Sequence, residues 1–422
     1  MKDSVATRTR LSELDARLVD AAKHIKVLSA MAWPPELLNQ FLENWQKGNP
    51  VLPAITHKGK SFNSPQMALR QIMRECDQSH PLGAYLFRTA DSYCLAATML
   101  ECMGTAAFTE ISCSLYSSPL AQIGNSGITV LDAAEHFLTQ TERFIPAVKS
   151  THADHCVLPS VVADEISKVI TPFFTNHPVE VVIDSTLASK AAAGARKIRI
   201  RGTSCFSWAD IPQLIHHEAL VHTVTSLNGR EQPYFKSLGL GAPCTTRTQE
   251  GLALFAELIT GSIDLNRLRR VALRVKGVHL AMQGANFIEL FRFFLEAGQD
   301  EIESFYSSMR IFRGGDVRGR IVCTKDVVYL EGLVFLERFL LKSIEEGKTN
   351  FPTYLFCGRL SLSDIVLLEE FFSQGWISPP LYAPDWVKNR AALAAFLLYA
   401  SFTNRIQLED MTLEHFTRQD VS

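Results

Sequence analysis

Two histidines five positions apart, His217 and His222, constrain the fold of this chain most strongly. They belong to the run HEALVH, inside an apolar segment whose pattern predicts a helix over residues 210–227. In a regular helix, positions i and i+5 differ by roughly 140° in azimuth, so the two imidazoles would point apart. A π-helical turn closes i to i+5 and would place both rings on one face. The spacing therefore predicts a local distortion of this helix.

The boundaries of this helix are marked by capping residues. Asp210 is a candidate N-cap, with Gln213 three residues later as in a capping box. Asn228 and Gly229 are typical of a helix stop. Gln232 and Pro233, which follow, are expected to shape the loop over the cleft.

The histidine pair is a candidate metal site. In the HExxH pattern of zinc proteases two histidines bind the metal, and the intervening glutamate, here Glu218, is the base. Ordinary helical histidines are the alternative interpretation. Glu250, expected in the first turn of the next helix, where the helix dipole favours an ionised carboxylate, would supply a third ligand. Glu257 follows on the same face and is either a partner that orients a histidine or a glutamate at the edge of the core.

Composition limits the partners and the compartment of this protein. The 422 residues include 42 basic and 44 acidic side chains, so the net charge of −2 gives no field that attracts nucleic acid or an anionic membrane. The N-terminus has no apolar signal segment, and Glu101 and Glu110 interrupt the longest apolar stretch. The nine cysteines form no CxxC pair and are expected to be reduced thiols. We therefore expect a cytoplasmic protein with no nucleic-acid or membrane partner, and the oligomeric state stays open.

Hydropathy patterning divides the chain into four regions. Residues 1–20 are a polar lead-in with helical potential, and residues 21–175 carry mainly helical patterns, including one long stretch from Leu86 to Cys113. Residues 176–345 contain the candidate strands and the metal pattern. Residues 346–422 are expected to be helical and to pack on that core.

Two candidate strands precede the helix predicted at residues 210–227, which contains the candidate metal ligands His217 and His222 and is called the metal helix below. Val179–Asp184 is rich in β-branched residues, and Lys197–Arg201 alternates strictly between charged and apolar side chains. The small residues at 191–194 form the link between them. The charged face of the second strand, with Arg199 and Arg201, is typical of an edge strand. Such a strand would either line a cleft and pair with a substrate or simply protect the edge of the sheet.

Several segments resemble a known family. HEALVHTVTSLNGREQP at 217–233, followed by TQEGLA at 248–253, is similar to the bacterial QEGLA-motif proteins of unassigned function. These proteins resemble the eukaryotic microtubule-associated tyrosine carboxypeptidases. Residues 310–315 and 324–332 resemble the basic segment and the KDxxYLxG stretch of that family. Residues 351–364 resemble a later segment, with Arg359 here in place of lysine.

The resemblance, which covers roughly residues 80 to 385, implies a zincin-like core and a zinc peptidase. It implies one zinc ion bound by His217, His222 and Glu250, with Glu218 as the acid/base that assists attack of zinc-bound water. It also implies release of a C-terminal, aromatic residue from a peptide or protein tail. The tubulin substrate of the eukaryotic enzymes is not implied, because no tubulin-binding element is evident.

A carboxypeptidase also needs cations that hold the terminal carboxylate of its substrate. Arg310, Arg313 and Lys325 are the candidates, and Tyr329 is a candidate donor to the developing oxyanion. For each of them a surface or salt-bridging role is the alternative. Arg199 and Arg201 are candidate contacts to the substrate from the neighbouring strand.

The sequence thus predicts an α+β protein in which a zincin-like core, with a small sheet and the HExxxH helix, is embedded in a mainly helical chain. A zinc carboxypeptidase is the leading function. An endopeptidase or amidase would use the same site in an open cleft, whereas a carboxypeptidase needs a basic pocket beyond the metal. A regulatory protein without turnover is the third possibility, although it would not need Glu218.

Overall fold

The computed structural model describes residues 5–57, 59–148 and 156–403. Residues 1–4 of the predicted lead-in and 404–422 of the predicted C-terminal region lie outside the described residues. The described part is mainly helical with a three-stranded sheet, which confirms the α+β class. No helix in it is both long and apolar enough to cross a bilayer. Buried apolar residues from all regions form one contiguous core, and the division into four regions stays a prediction.

Helices fill the part of the chain before the sheet. Their bounds are α1 Val5–Ala22, α2 Val27–Ala30, α3 Glu36–Gln46, α4 Asn63–Glu75, α5 Pro81–Glu101, α6 Ala106–Tyr116, α7 Val130–Phe144 and α8 Pro159–Phe173. The lead-in is more ordered than expected, because α1 buries Leu11, Leu14 and Leu18 against α4 and α5. The stretch predicted as one long helix is two helices, since Gly104 between α5 and α6 adopts a φ of +78°.

The sheet has the order β1-β3-β2, with β1 at Glu180–Asp184, β2 at Ala191–Ala193 and β3 at Lys197–Arg201. β3 runs parallel to β1 and antiparallel to β2. The prediction that β3 is an edge strand is therefore wrong. The three alanines predicted as a link form one of the two edge strands, because their backbone groups pair with β3 although alanine has little preference for strands.

The metal helix and its neighbours follow the sheet. Their bounds are α9 Asp210–Leu214, a π-helical segment Ile215–Thr223, α10 Val224–Arg230, α11 Thr246–Ile259, α12 Leu265–Gln283, α13 Phe287–Glu296, α14 Glu301–Phe312 and α15 Val328–Glu345. Short 3-10 turns lie at Lys236–Gly239, Pro243–Thr245 and Lys325–Val327. The C-terminal helices are α16 Phe351–Tyr354, α17 Leu362–Leu367, α18 Glu369–Ser373, α19 Asp385–Lys388 and α20 Arg390–Thr403.

The predicted helix stop at Asn228 is wrong, because α10 continues through it. Asn228 is buried, and its Nδ2 donates to the carbonyl oxygens of Phe356 and Tyr382, both at 2.7 Å. Its Oδ1 accepts from the Tyr382 amide at 3.1 Å. Gln232 is also buried and donates to the carbonyl oxygen of Cys357 at 2.9 Å. These two amides therefore hold the C-terminal segment against the end of the metal helix.

Helices α11 and α15 pack backbone against backbone. A Cβ on Gly251 would lie 2.3 Å from the carbonyl carbon of Gly332, and a Cβ on Gly332 would lie 2.2 Å from the carbonyl oxygen of Arg247. Only glycine leaves room for this approach. The contact fixes the position of α11 and hence of Glu250, which precedes Gly251.

Cys156 and Cys205 are joined by a disulfide, so the expectation that all nine cysteines are reduced thiols is wrong for this pair. Both residues are exposed, and an isolated bridge between Val157 and Phe206 holds the two segments together. Because they are separated by 49 residues in the chain, no sequence spacing indicated the pairing. The other seven cysteines are free.

Candidate active site

The predicted distortion of the metal helix is present as the π-helical segment Ile215–Thr223. It brings the rings of His217 and His222 within 4.8 Å of each other, centroid to centroid, and nearly perpendicular at 86°. The helix entry differs from the prediction. Ser207 and Asp210 cap it reciprocally, each accepting the other's backbone amide on its side chain at 3.2 Å or less.

Glu250 completes a cluster with the two histidines. Its Oε2 lies 3.7 Å from His217 Nε2 and 3.5 Å from His222 Nε2. One nitrogen or oxygen from each residue lies within 4.8 Å of the others, so the three could hold a metal ion. Glu250 is the fifth residue of α11 rather than part of its first turn. The helix dipole therefore favours the ionised form of Glu250 less than expected, and other charges must keep its carboxylate ionised.

The environment of Glu250 suits a metal ligand. Its Oε2 is buried without a hydrogen-bond partner among the described residues, while its Oε1 accepts from Lys325 Nζ at 2.8 Å. Burial opposes ionisation, but the Lys325 ammonium and the two histidines hold the pKa of Glu250 well below its usual range. A buried, ionised oxygen without a partner calls for a cation. The residues present therefore fit a metal between the two imidazoles and Glu250.

A hydrogen bond at Nδ1 fixes the orientation of the His217 ring. Nδ1 lies 2.7 Å from Glu257 Oε1, and Arg267 donates to both oxygens of Glu257 at 3.0 Å. Gln213, predicted as part of a capping box, instead donates to Glu257 at 3.1 Å. Burial lowers the pKa of His217, but the carboxylates of Glu250 and Glu257 outweigh it and raise that pKa to about 10. The site thus attracts positive charge, and the hydrogen bond at Nδ1 leaves Nε2 directed at Glu250.

A cavity of about 590 Å³ opens over this cluster. Glu218 lines it and makes no hydrogen bond or ion pair with the described residues. The edge strand β2 forms one wall of the cavity. Apolar and aromatic side chains form another wall: Met31, Trp33, Tyr93 and Tyr116.

The residues predicted to hold a carboxylate line the cavity close to this cluster. Arg310 donates to both oxygens of Asp326, and its Nη2 lies 3.5 Å from Tyr329 Oη. The Tyr329 ring lies nearly parallel to that of His217, at 6.4 Å between centroids. Arg313 is buried and lines the same cavity. Lys325 donates to Glu250, so two of the three predicted cations already have carboxylate partners.

The two arginines of β3 take different positions. Arg201 is only 1% exposed, and it donates to the Ala188 carbonyl oxygen and forms an ion pair with Glu303. Arg199 is exposed and lies 3.4 Å from Asp184. Both border the cavity, but their charges are directed to protein acids.

Four arginines of the cavity were not predicted as site residues: Arg267, Arg270, Arg274 and Arg359. Arg274 lies on α12 in register with Arg267 and Arg270, at spacings of three and four, so a basic stripe on one helical face could have indicated it. Arg359 donates to the His222 carbonyl oxygen at 3.2 Å, from 137 residues away. A side chain on Gly241 would collide with its Nη1 at 2.7 Å.

Fold and site together define an α+β protein with a candidate metal cluster in a cavity that is lined by many basic side chains. The family model described as microtubule-associated tyrosine carboxypeptidase matches residues 39–405. The chain belongs to this family, as the resemblance of its motifs predicted, and the family supports a peptidase-type enzyme that acts on a peptide or protein. A search of curated proteins found no match.

Proposed function

We propose that the protein is a zinc-dependent carboxypeptidase with a zincin-like core, which releases an aromatic residue from the C-terminus of a peptide or protein. The observation that carries the proposal is the unpartnered, buried Oε2 of Glu250 facing Nε2 of both His217 and His222. Two imidazoles and a carboxylate are a frequent ligand set of catalytic zinc, which keeps a further position open for water or substrate. Zinc held there would supply Lewis-acid chemistry, polarising a scissile carbonyl and making water more acidic.

Glu218 is the proposed acid/base. It neighbours His217 on the π-helical segment, lines the cavity and has no hydrogen-bond partner among the described residues. It would accept a proton from water and deliver it to the leaving amine. Transfer of this kind typically contributes about 10²–10⁴-fold to the rate.

Tyr329 is the proposed donor to the developing oxyanion. Its ring lies beside His217, and its hydroxyl group lies near Arg310. A hydroxyl that is already positioned needs no reorganisation when negative charge develops on the carbonyl oxygen.

The basic lining of the cavity favours a carboxypeptidase over an endopeptidase. Arg274, Arg310 and Arg313 line the cavity and are grouped around Asp326. A free terminal carboxylate suits such a group of cations, whereas an endopeptidase has no terminal carboxylate to bind. The edge of β2 that faces away from β3 could pair with the main chain of an extended substrate. The aromatic wall, with Trp33 and Tyr116, suits an aromatic terminal side chain.

The test combines metal analysis with cleavage of a peptide set that varies only in the C-terminal residue. We expect one zinc per chain and preferential release of aromatic residues by the wild type. Glu218→Gln should keep the zinc and lose at least about 10²-fold in rate. Absence of zinc after reconstitution would contradict the proposal. Full zinc occupancy without any turnover would instead favour a regulatory protein, and cleavage at internal bonds would favour an endopeptidase.

A further inference from the structure

One group of arginines in the cavity lining contains more positive charge than the neighbouring protein acid neutralises. Arg274, Arg310 and Arg313 are grouped around a single carboxylate, Asp326, and each of them lowers its pKa, although burial opposes that effect. Arg310 occupies both oxygens of Asp326. The single negative charge is therefore shared among three guanidinium groups.

Arg274 and Arg313 are the two members of this group without hydrogen bonds. Neither side chain donates one to any described residue, and the Nε of each is buried without a partner. The nearest acid to Arg274 is Asp326, at 3.9 Å, and it is already engaged by Arg310. Arg313 is only 7% exposed. Both line the cavity, so the space beside them is open to a ligand.

A buried guanidinium without an acceptor is unfavourable, and a protein retains one where a ligand completes it. Burial is the main cause that lowers the pKa of Arg274 to about 10, and the neighbouring Arg310 charge adds to it. The planar donor fork of arginine pairs with both oxygens of a carboxylate, and a carboxylate is the common anionic group of a peptide.

We infer that Arg274 and Arg313 form a carboxylate subsite that takes the free α-carboxylate of the C-terminal residue, while Arg310 supports it from its pairing with Asp326. The inference rests on the proposed function and names the group by which the substrate is recognised. It assigns the carboxylate to Arg274 and Arg313 in place of Arg310 and Lys325, whose partners are protein acids.

The test measures binding and stability rather than turnover. In the zinc-loaded Glu218→Gln protein, calorimetry would compare a short acetylated peptide ending in tyrosine with the same peptide as its C-terminal amide. We expect the acid to bind at least about tenfold more tightly. Adding Arg274→Gln or Arg313→Gln should reduce this preference several-fold each, and adding both should bring it close to one.

Arg270→Gln is the matched control, because Arg270 lies on the same helix and cavity wall but faces Asp210 at 3.8 Å. It should leave the acid preference unchanged. An acid preference that survives in the double variant would overturn the inference.

Thermal unfolding separates a ligand-binding role from a structural one. Arg274→Gln and Arg313→Gln break no hydrogen bond between described residues, so their unfolding midpoints should match or exceed that of the parent. Arg310→Gln leaves Asp326 buried without its bidentate partner and should lower the midpoint by several degrees. A loss of stability in the first two variants as large as in Arg310→Gln would contradict the subsite.

The two proposals can fail separately. Acid preference that depends on Arg274 and Arg313, without hydrolysis by the wild type, would keep the subsite and refute the carboxypeptidase. Hydrolysis that is equally fast for acid and amide peptides would refute the subsite and favour an amidase.

Discussion

At the scale of single residues, Asp15 is a buried carboxyl group whose charge is poorly compensated. It is 1% exposed and accepts the Ser237 amide at 3.1 Å, and it forms no ion pair with any residue that the structure describes. Burial outweighs these hydrogen bonds and raises the pKa of Asp15 from 3.8 to about 6. The shift corresponds to roughly 3 kcal/mol of unfavourable free energy for the ionised folded form.

Asp15 should therefore make the protein less stable as the pH rises. Between its unfolded and folded pKa values the folded chain binds more protons, so the free energy of unfolding falls from about pH 4 to above pH 6. Asp15→Asn removes this titration and keeps an oxygen for the Ser237 amide. Urea unfolding should show the variant gaining stability relative to the wild type as the pH rises from about 4 to 8. Parallel pH curves for the two proteins would contradict this account.

Glu257 should control the metal affinity of His217. Glu257→Gln weakens the hydrogen bond to Nδ1 and the pairing with Arg267, so zinc affinity should fall about 10–100-fold in competition with a chelating indicator. Glu303→Gln is the control, since Glu303 borders the same cavity but pairs with Arg201. Equal zinc affinities in the two variants would argue against the orienting role.

At the scale of helices and strands, the contact between α11 and α15 depends on two glycines. Gly251→Ala would place a methyl group 2.3 Å from the Gly332 carbonyl carbon, and backbone atoms cannot rotate away. We expect a loss of about 1–3 kcal/mol in unfolding free energy, measured in urea, together with weaker zinc binding because Glu250 moves with its helix. Gly59→Ala, where a methyl group meets nothing within 4 Å, should change neither quantity.

The sequence predicted the elements that depend on local patterns. The i, i+5 spacing of His217 and His222 was enough to predict the π-helical segment, because ligand geometry and helix geometry are both local. The order of the sheet was not predictable in this way. β3 carries alternating charges typical of an edge, yet pairing on both sides buries its apolar face and makes it central. The pairing of strands depends on contacts between segments that are separate in the sequence, and the pattern within one strand does not predict them.

At the scale of the whole molecule, Asn228 connects the metal helix to the C-terminal segment. Asn228→Ala would leave one buried carbonyl oxygen, one partly buried carbonyl oxygen and one partly buried amide without their partner, so we expect a loss of about 3 kcal/mol in unfolding free energy. Asn49→Ala, at an exposed position, should stay within about 0.5 kcal/mol of the wild type. Thermal or urea unfolding of the purified variants would measure both. An equal effect of the two substitutions would show that the C-terminal segment is not held through Asn228.

The candidate site was likewise predictable only where its residues are close in sequence. The motif around His217 and the glutamate that follows gave the metal cluster, and the family likeness gave the basic segment at Arg310. Arg359 donates to the His222 carbonyl oxygen from 137 residues away in the chain. The groups that shift the pKa of Arg274 include Arg310, Asp326 and Tyr329, which lie on three other elements. Such contacts depend on how the helices pack, and the sequence pattern predicts the helices rather than their arrangement.

The three alanines of β2 have a consequence for selectivity. If a substrate pairs with this strand, it meets methyl groups and main-chain atoms, which cannot distinguish one side chain from another. Residues upstream of the cleaved bond would then be tolerated almost regardless of identity. The last residue and its carboxylate would then determine the selectivity, so the protein would recognise the end of a chain rather than a motif within it.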